Sequence, residues 1–231
     1  MFGGVFVSLL SNNGGMKASG ILSALILCSM VGFGQLTEDY FSKIIESNPD
    51  IPVAYVGRGD IKQLRGDYRE AILDYNKAIN IDPNYSEAYY SRGNTKYSLR
   101  DYRGAIADYS KAIEIEPDNV EIYTNRASAK SEIGDDRGAM SDLNKAIEIE
   151  PKQPLPYYNR GVTKYELGDY RGSAADYTKA IDLDPNYANA YFNRGFARIA
   201  LGLKDDGCLD FSKAGELGES DAYIVIQQQC N

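Results

Sequence analysis

The sequence predicts an all-α solenoid in which antiparallel helix pairs stack in a row, with a capping helix at each end. Three observations carry this. Prolines fall at Pro49, Pro83, Pro117, Pro151 and Pro185, every successive pair 34 apart, and a fixed period of 20 to 50 residues marks a repeat architecture. With proline written as repeat position 32, small residues recur at position 8 (Gly59, Gly93, Ala127, Gly161, Gly195), position 20 (Ala71, Ala105, Ala139, Ser173, Gly207) and position 27 (Ala78, Ala112, Ala146, Ala180, Ala214). Such columns are needed where two helices approach closely. Finally, each period carries two helix patterns with their own stop signals. The run 156–168 (PYYNRGVTKYELG) ends at a glycine, and 169–185 (DYRGSAADYTKAIDLDP) opens on an aspartate N-cap and stops at a proline. Neither helix can bury its apolar stripe alone, so neighbouring pairs must stack.

Taken from the start, residues 1–34 contain no acidic residue and one basic residue, Lys17. Met16-Lys17 opens a positive segment, 21–33 (ILSALILCSMVGF) is an apolar run, and Gly32 and Gly34 supply the small residues a signal peptidase reads. Residues 16–34 therefore read as a signal peptide, with Gln35 the first mature residue, and 1–15 as a dispensable extension ahead of a start at Met16. The apolar run is shorter than the roughly 20 residues a membrane-crossing helix needs, which favours cleavage over a retained anchor. Leu27, directly before Cys28, argues against an acylated lipoprotein, whose signal has a small residue there. Residues 35–51 keep the repeat register (Lys43 and Pro49 fall on positions 26 and 32 of a preceding unit) and are expected to form a lone second helix as an N-terminal cap. Five repeats follow, at 52–85, 86–119, 120–153, 154–187 and 188–221. The last is degenerate, with Leu203, Lys204 and Glu219 at positions that hold Asp, Tyr and Pro elsewhere, and 222–231 is expected to form a C-terminal capping helix.

An aromatic also recurs at position 4 (Tyr55, Tyr89, Tyr123, Tyr157, Tyr191), and position 24 holds Tyr75, Tyr109, Leu143, Tyr177 and Phe211. Together with the small residues at 8, 20 and 27 and the proline at 32, this pattern resembles the tetratricopeptide repeat over residues 52–221. The resemblance implies a right-handed superhelix whose first helices line a concave face. Two departures stand out: position 7, usually apolar, is arginine in all five copies, and position 11, usually tyrosine, is lysine or arginine.

The arginines at position 7 (Arg58, Arg92, Arg126, Arg160, Arg194) are matched by aspartates at position 23 (Asp74, Asp108, Asp142, Asp176, Asp210). The two positions are about equidistant from the turn of a helix pair, which predicts a structural Arg–Asp ion pair in each repeat rather than a basic stripe for an anion. The lysines at position 26 are expected to form solvated i,i+3 pairs with those aspartates. Cys208 and Cys230 flank a turn near Gly218 at similar distances, which favours a disulfide over two free thiols.

No histidine is present among the 231 residues, which excludes Ser-His-Asp and Cys-His mechanisms and removes the commonest transition-metal ligand. No phosphate-binding glycine loop or EF-hand loop occurs, so no cofactor or metal and no enzyme activity are expected. A net charge of -8 argues against nucleic acid, and no membrane insertion is expected after signal cleavage. The resemblance turns positions 2, 5, 6, 9, 12 and 13 inward, which makes Tyr90, Asn94, Tyr97, Asn125, Tyr158, Asn159, Tyr165, Phe192 and Asn193 candidate ligand-binding residues, with Glu87, Glu121, Glu132 and Glu166 adding acidity. Positions 2, 5 and 6 hold no Lys or Arg, which speaks against capture of a C-terminal carboxylate. The expectation is an exported periplasmic or extracellular scaffold that binds a protein or peptide. A self-associating structural protein and a glycan-binding protein are the alternatives.

Overall fold

The computed structural model describes residues 37–230; the extension 1–15 and the signal peptide 16–34 lie outside them. Among the described residues there are twelve α-helices and no strand: α1 Glu38–Ser47, α2 Pro52–Arg65, α3 Tyr68–Ile81, α4 Ser86–Ser98, α5 Tyr102–Ile115, α6 Val120–Glu132, α7 Asp136–Ile149, α8 Pro154–Glu166, α9 Tyr170–Leu183, α10 Ala188–Ala200, α11 Lys204–Glu216 and α12 Asp221–Gln229. Each helix packs on the next in sequence, and the first helices of adjacent repeats (α2, α4, α6, α8, α10) also touch one another, whereas no two second helices approach to the same degree. The array therefore bends toward its first helices. No helix among the described residues is long and apolar enough to cross a membrane.

The turn inside each pair is set by a left-handed residue after the first helix: Gly66, Gly134, Gly168 and Gly202 have φ between 77° and 87°, and Arg100 adopts the same conformation in the second repeat at φ 61°. An aspartate then caps the second helix. Asp101, Asp135 and Asp169 accept the backbone N–H of Gly104, Gly138 and Gly172 at 2.9 to 3.0 Å. A Cβ on any of these glycines would sit 2.1 Å from the capping carboxylate, which explains the glycine three residues after the cap. In the first repeat that residue is Glu70, and Asp67 makes no side-chain cap bond.

The core is a chain of small clusters, one per joint. The columns at positions 20 and 27 are fully buried wherever they hold alanine in the first four repeats, and the ring at position 24 lies against the residue at position 8. A Cβ added to Gly59, Gly93, Gly161 or Gly195 would meet the ring of Tyr75, Tyr109, Tyr177 or Phe211 at 2.6 to 2.7 Å. In the third repeat Ala127 occupies position 8 and Leu143 position 24, and the two pack with Ala139. The methyl gained on one helix is matched by the ring lost on the other.

The position-7 arginines join these layers. In all five repeats Nε and Nη2 donate to the two oxygens of the position-23 aspartate at 2.6 to 2.9 Å. Nη1 reaches back to the preceding unit, donating to Ser42, Asn76, Ser110, Asn144 or Thr178. The guanidinium also lies 5.3 to 5.6 Å from the ring centre of the position-4 tyrosine. One side chain thus ties the two helices of its own repeat to the repeat before it.

The lysine expectation is corrected. Lys111, Lys145 and Lys213 pair with Glu114, Glu148 and Glu216 at 2.8 to 3.0 Å, not with the aspartates. The aspartates face the first helix, where a second cation meets them: Lys62, Lys96, Lys130, Lys164 and Arg198, all at position 11, lie 2.7 to 2.8 Å from the same carboxylate. Each aspartate is thus held by two cations, and the substitution at position 11 accompanies the one at position 7.

At the ends, α1 packs on α2, and Thr37 caps α1 by accepting the Tyr40 N–H. The Cys208 and Cys230 sulfurs are bonded, with Cα atoms 5.8 Å apart, which joins α11 to the chain just past α12.

Candidate functional site

The inner face is built from positions 5, 6, 9 and 12 of α2, α4, α6, α8 and α10. Where a tyrosine occupies position 5, it is tied to the asparagine at position 6 of the next repeat. Asn125 Nδ2 donates to Tyr90 Oη at 3.0 Å, and Asn193 Nδ2 donates to Tyr158 Oη at 2.9 Å. Asn94 Oδ1 accepts from both Asn125 Nδ2 (3.1 Å) and Tyr109 Oη (2.7 Å). Tyr90, Asn94, Asn125, Tyr158 and Asn193 therefore spend polar groups on joining repeats. Tyr158 also packs on Tyr177 and Tyr187, with ring centres 5.7 and 4.9 Å away, and burial raises its phenol pKa. Phe192 packs with Phe196 and Phe211 in the last cluster of the core.

The third repeat interrupts this ladder. Its positions 5, 9 and 12 are Thr124, Ser128 and Ser131, and Thr124 is buried with its hydroxyl donating to the Val120 carbonyl at 2.8 Å. No tyrosine meets Asn159, and no side chain among the described residues bonds its amide. Small side chains between two aromatic repeats leave a cleft of about 280 Å³, with Ala127, Ser128, Ser131 and Leu143 from the third repeat, Tyr97 from the second and Tyr158, Asn159, Val162 and Thr163 from the fourth. A second depression of about 250 Å³ lies toward the other end of α6, between Tyr90, Thr124 and Asn125 on one side and Gln153, Leu155 and Pro156 on the other.

Positions 12 and 17 form a tyrosine pair in the second and fourth repeats. The rings of Tyr97 and Tyr102 are 5.2 Å apart and those of Tyr165 and Tyr170 5.0 Å apart, both edge to face. In the third repeat the corresponding residues are Ser131 and Asp136. Glu132 sits at the rim and accepts a hydrogen bond from Tyr97 Oη at 3.3 Å and another from Tyr102. Glu166 stands across the cleft; burial raises its carboxyl pKa, and the charges of Asp136 and Glu132 raise it further. Of the nine candidate residues, Tyr97 and Asn159 line this cleft with Tyr158, Tyr90 and Asn125 line the second depression, Asn94 and Asn193 are engaged in joining repeats, Phe192 packs within the fifth repeat, and Tyr165 packs on Tyr170.

A buried carboxylate lies at the other end of the face. Asp60 accepts from Tyr75 Oη at 2.9 Å and from Ser91; burial pushes its pKa up to about 6. Among the described residues no group of three or more Asp, Glu or Cys converges as a metal site.

Models of known families match most of the array. Residues 59–100 and 163–202 match one described as TPR repeat, and 86–119 and 120–153 match two described as tetratricopeptide repeat. No curated protein matches the chain by sequence. Among solved structures, that of MamA is 28% identical, covers 74% of this chain and 94% of its own, and superposes with a TM-score of 0.65. YrrB, described as a TPR protein with an unusual peptide-binding site, is 19% identical over 83% of this chain and 100% of its own, at 0.65. Pseudomonas aeruginosa pilF is 17% identical over 72% and 76%, at 0.66.

Proposed function

Since the chain belongs to the tetratricopeptide-repeat family, we propose that it is a non-enzymatic scaffold that binds an extended peptide or protein segment along its first helices, centred on the third repeat. The cleft between Tyr97 and Tyr158 carries this reading. There the ladder that closes the neighbouring joints is missing, the Asn159 amide is free to bond a backbone N–H or C=O, and aromatic faces stand ready to cover apolar side chains. At the two adjoining joints Tyr90 and Tyr158 already bond Asn125 and Asn193. The expected leader and the Cys208–Cys230 bond support an exported protein working outside the reducing cytoplasm.

Selection of a displayed random-peptide library on the full chain tests this. Peptides recovered by the wild type are expected to lose binding to Ser131→Tyr, which puts into the cleft the residue both neighbouring repeats carry, and to keep it on the outer-face variant Lys145→Ala. Equal binding to all three proteins would remove the cleft from the account.

A further inference from the structure

The cleft has an apolar floor, an aromatic wall and a rim of uncompensated negative charge. Ala127, Leu143 and Val162 form the apolar part and Tyr97 the wall. The Tyr97 and Tyr102 hydroxyls hold the Glu132 carboxylate in place, while Glu166 is crowded by Asp136 and Glu132. Lys96, Lys130 and Lys164 pair with Asp108, Asp142 and Asp176 rather than with these carboxylates. No ion pair links Glu132, Asp136 or Glu166 to any cation among the described residues.

Given the proposed groove, the geometry points to the chemistry of what fills it: a lysine or arginine side chain projecting from the bound segment. Its alkyl stem would lie along Ala127, Leu143 and Val162 and its charge between Glu132 and Glu166, beside the Tyr97 ring. Long cationic side chains are suited to this, since their stems cover apolar surface while their heads stay polar. A ring face attracts a cation, and a charge-assisted bond to a carboxylate is about twice as strong as a neutral one. The other side-chain classes fit poorly. An apolar side chain would cover carboxylates without pairing them, at the cost of their desolvation, and an acidic one would add a further like charge to the rim.

The test is equilibrium binding of four random-sequence peptide pools, identical except for one fixed position holding Lys, Arg, norleucine or Glu, to the full chain, to Glu132→Gln/Glu166→Gln and to Ser131→Tyr. The wild type is expected to bind the Lys and Arg pools about ten-fold more tightly than the norleucine pool, with the Glu pool weakest. The double glutamine variant, which keeps the size and polarity of the rim, should reduce the Lys and Arg pools to the norleucine level. If the norleucine pool binds the wild type as tightly as the Lys pool and both are lost in Ser131→Tyr, the cation slot is wrong and the groove stands. Pools that fail to bind, or bind wild type and Ser131→Tyr alike, overturn both.

Discussion

On the inner side of α4 stand Tyr90, Asn94 and Tyr97; on α6, one repeat later, the same positions hold Thr124, Ser128 and Ser131. The second repeat uses its large polar side chains to bond the third, through Asn125 to Tyr90 and Asn94. The third offers nothing comparable to the fourth, and the cleft lies there. Beneath the surface the same pair of repeats differs at Gly93–Tyr109 against Ala127–Leu143. Yet Arg92 and Arg126 make the same contacts to Asp108 and Asp142. The frame is uniform and the inner face varies, so an array of near-identical units can have one place where a ligand fits.

The frame gives the largest expected effect. Arg92→Ala and Arg126→Ala each remove the fork from a buried aspartate and the bond to the preceding repeat. Each should cost about 3 kcal/mol in denaturant unfolding, and the two costs should agree; a much smaller loss for Arg126→Ala would mean that the third repeat differs in its frame as well. Position 9 gives the next. Asp60 binds a proton more tightly folded than unfolded, so it lowers stability as pH rises from about 4 to about 6, and the penalty persists above that. Asp60→Asn should therefore raise stability at pH 8 by up to about 3 kcal/mol and change it little at pH 4, as read by unfolding at the two pH values.

The packing swap is expected to be reciprocal. Leu143→Tyr places a ring against the Ala127 methyl, and Gly93→Ala places a methyl against the Tyr109 ring; each should cost about 2 kcal/mol. Ala127→Gly combined with Leu143→Tyr should recover most of the loss, so a double-mutant cycle on the third repeat gives a coupling well above experimental error. Additive effects would break the proposed compensation. The smallest effect is at the turn of the second repeat. Among the described residues Arg100 is the one non-glycine residue with positive φ, so Arg100→Gly should stabilise by about 1 kcal/mol, detectable as a raised thermal midpoint.

The fold was legible because its determinants recur: Pro at 32, alanine at 27 and the aromatic at 4 repeat with the same 34-residue spacing, and each answers a local steric need. The helix pairing also follows from the Arg and Asp columns, since Arg126 and Asp142 are 16 residues apart across one turn. The second cation on each aspartate was not legible from spacing along one helix, because Lys111 pairs with Glu114 while Asp108 takes its second cation, Lys96, from the facing helix α4. The cleft was harder still to read. Attention to large side chains picks out Tyr90, which is used in joining repeats, and Phe192, which packs into the last core cluster, whereas the opening comes from small ones. A signal did exist in the columns: Thr124 and Ser131 replace the tyrosines that positions 5 and 12 carry in both neighbouring repeats, in the same repeat in which Ala127 and Leu143 break positions 8 and 24.

The central claim is that the inner face of the third repeat is where a partner segment binds. Backbone amide chemical shifts of the labelled full chain, recorded with and without a peptide selected on the wild type, test it most directly. The account predicts shifts concentrated at Ser128, Ser131, Asn159 and Val162, with those of α5 and α9 unchanged. Shifts confined to these second helices, with α6 and α8 silent, would contradict it.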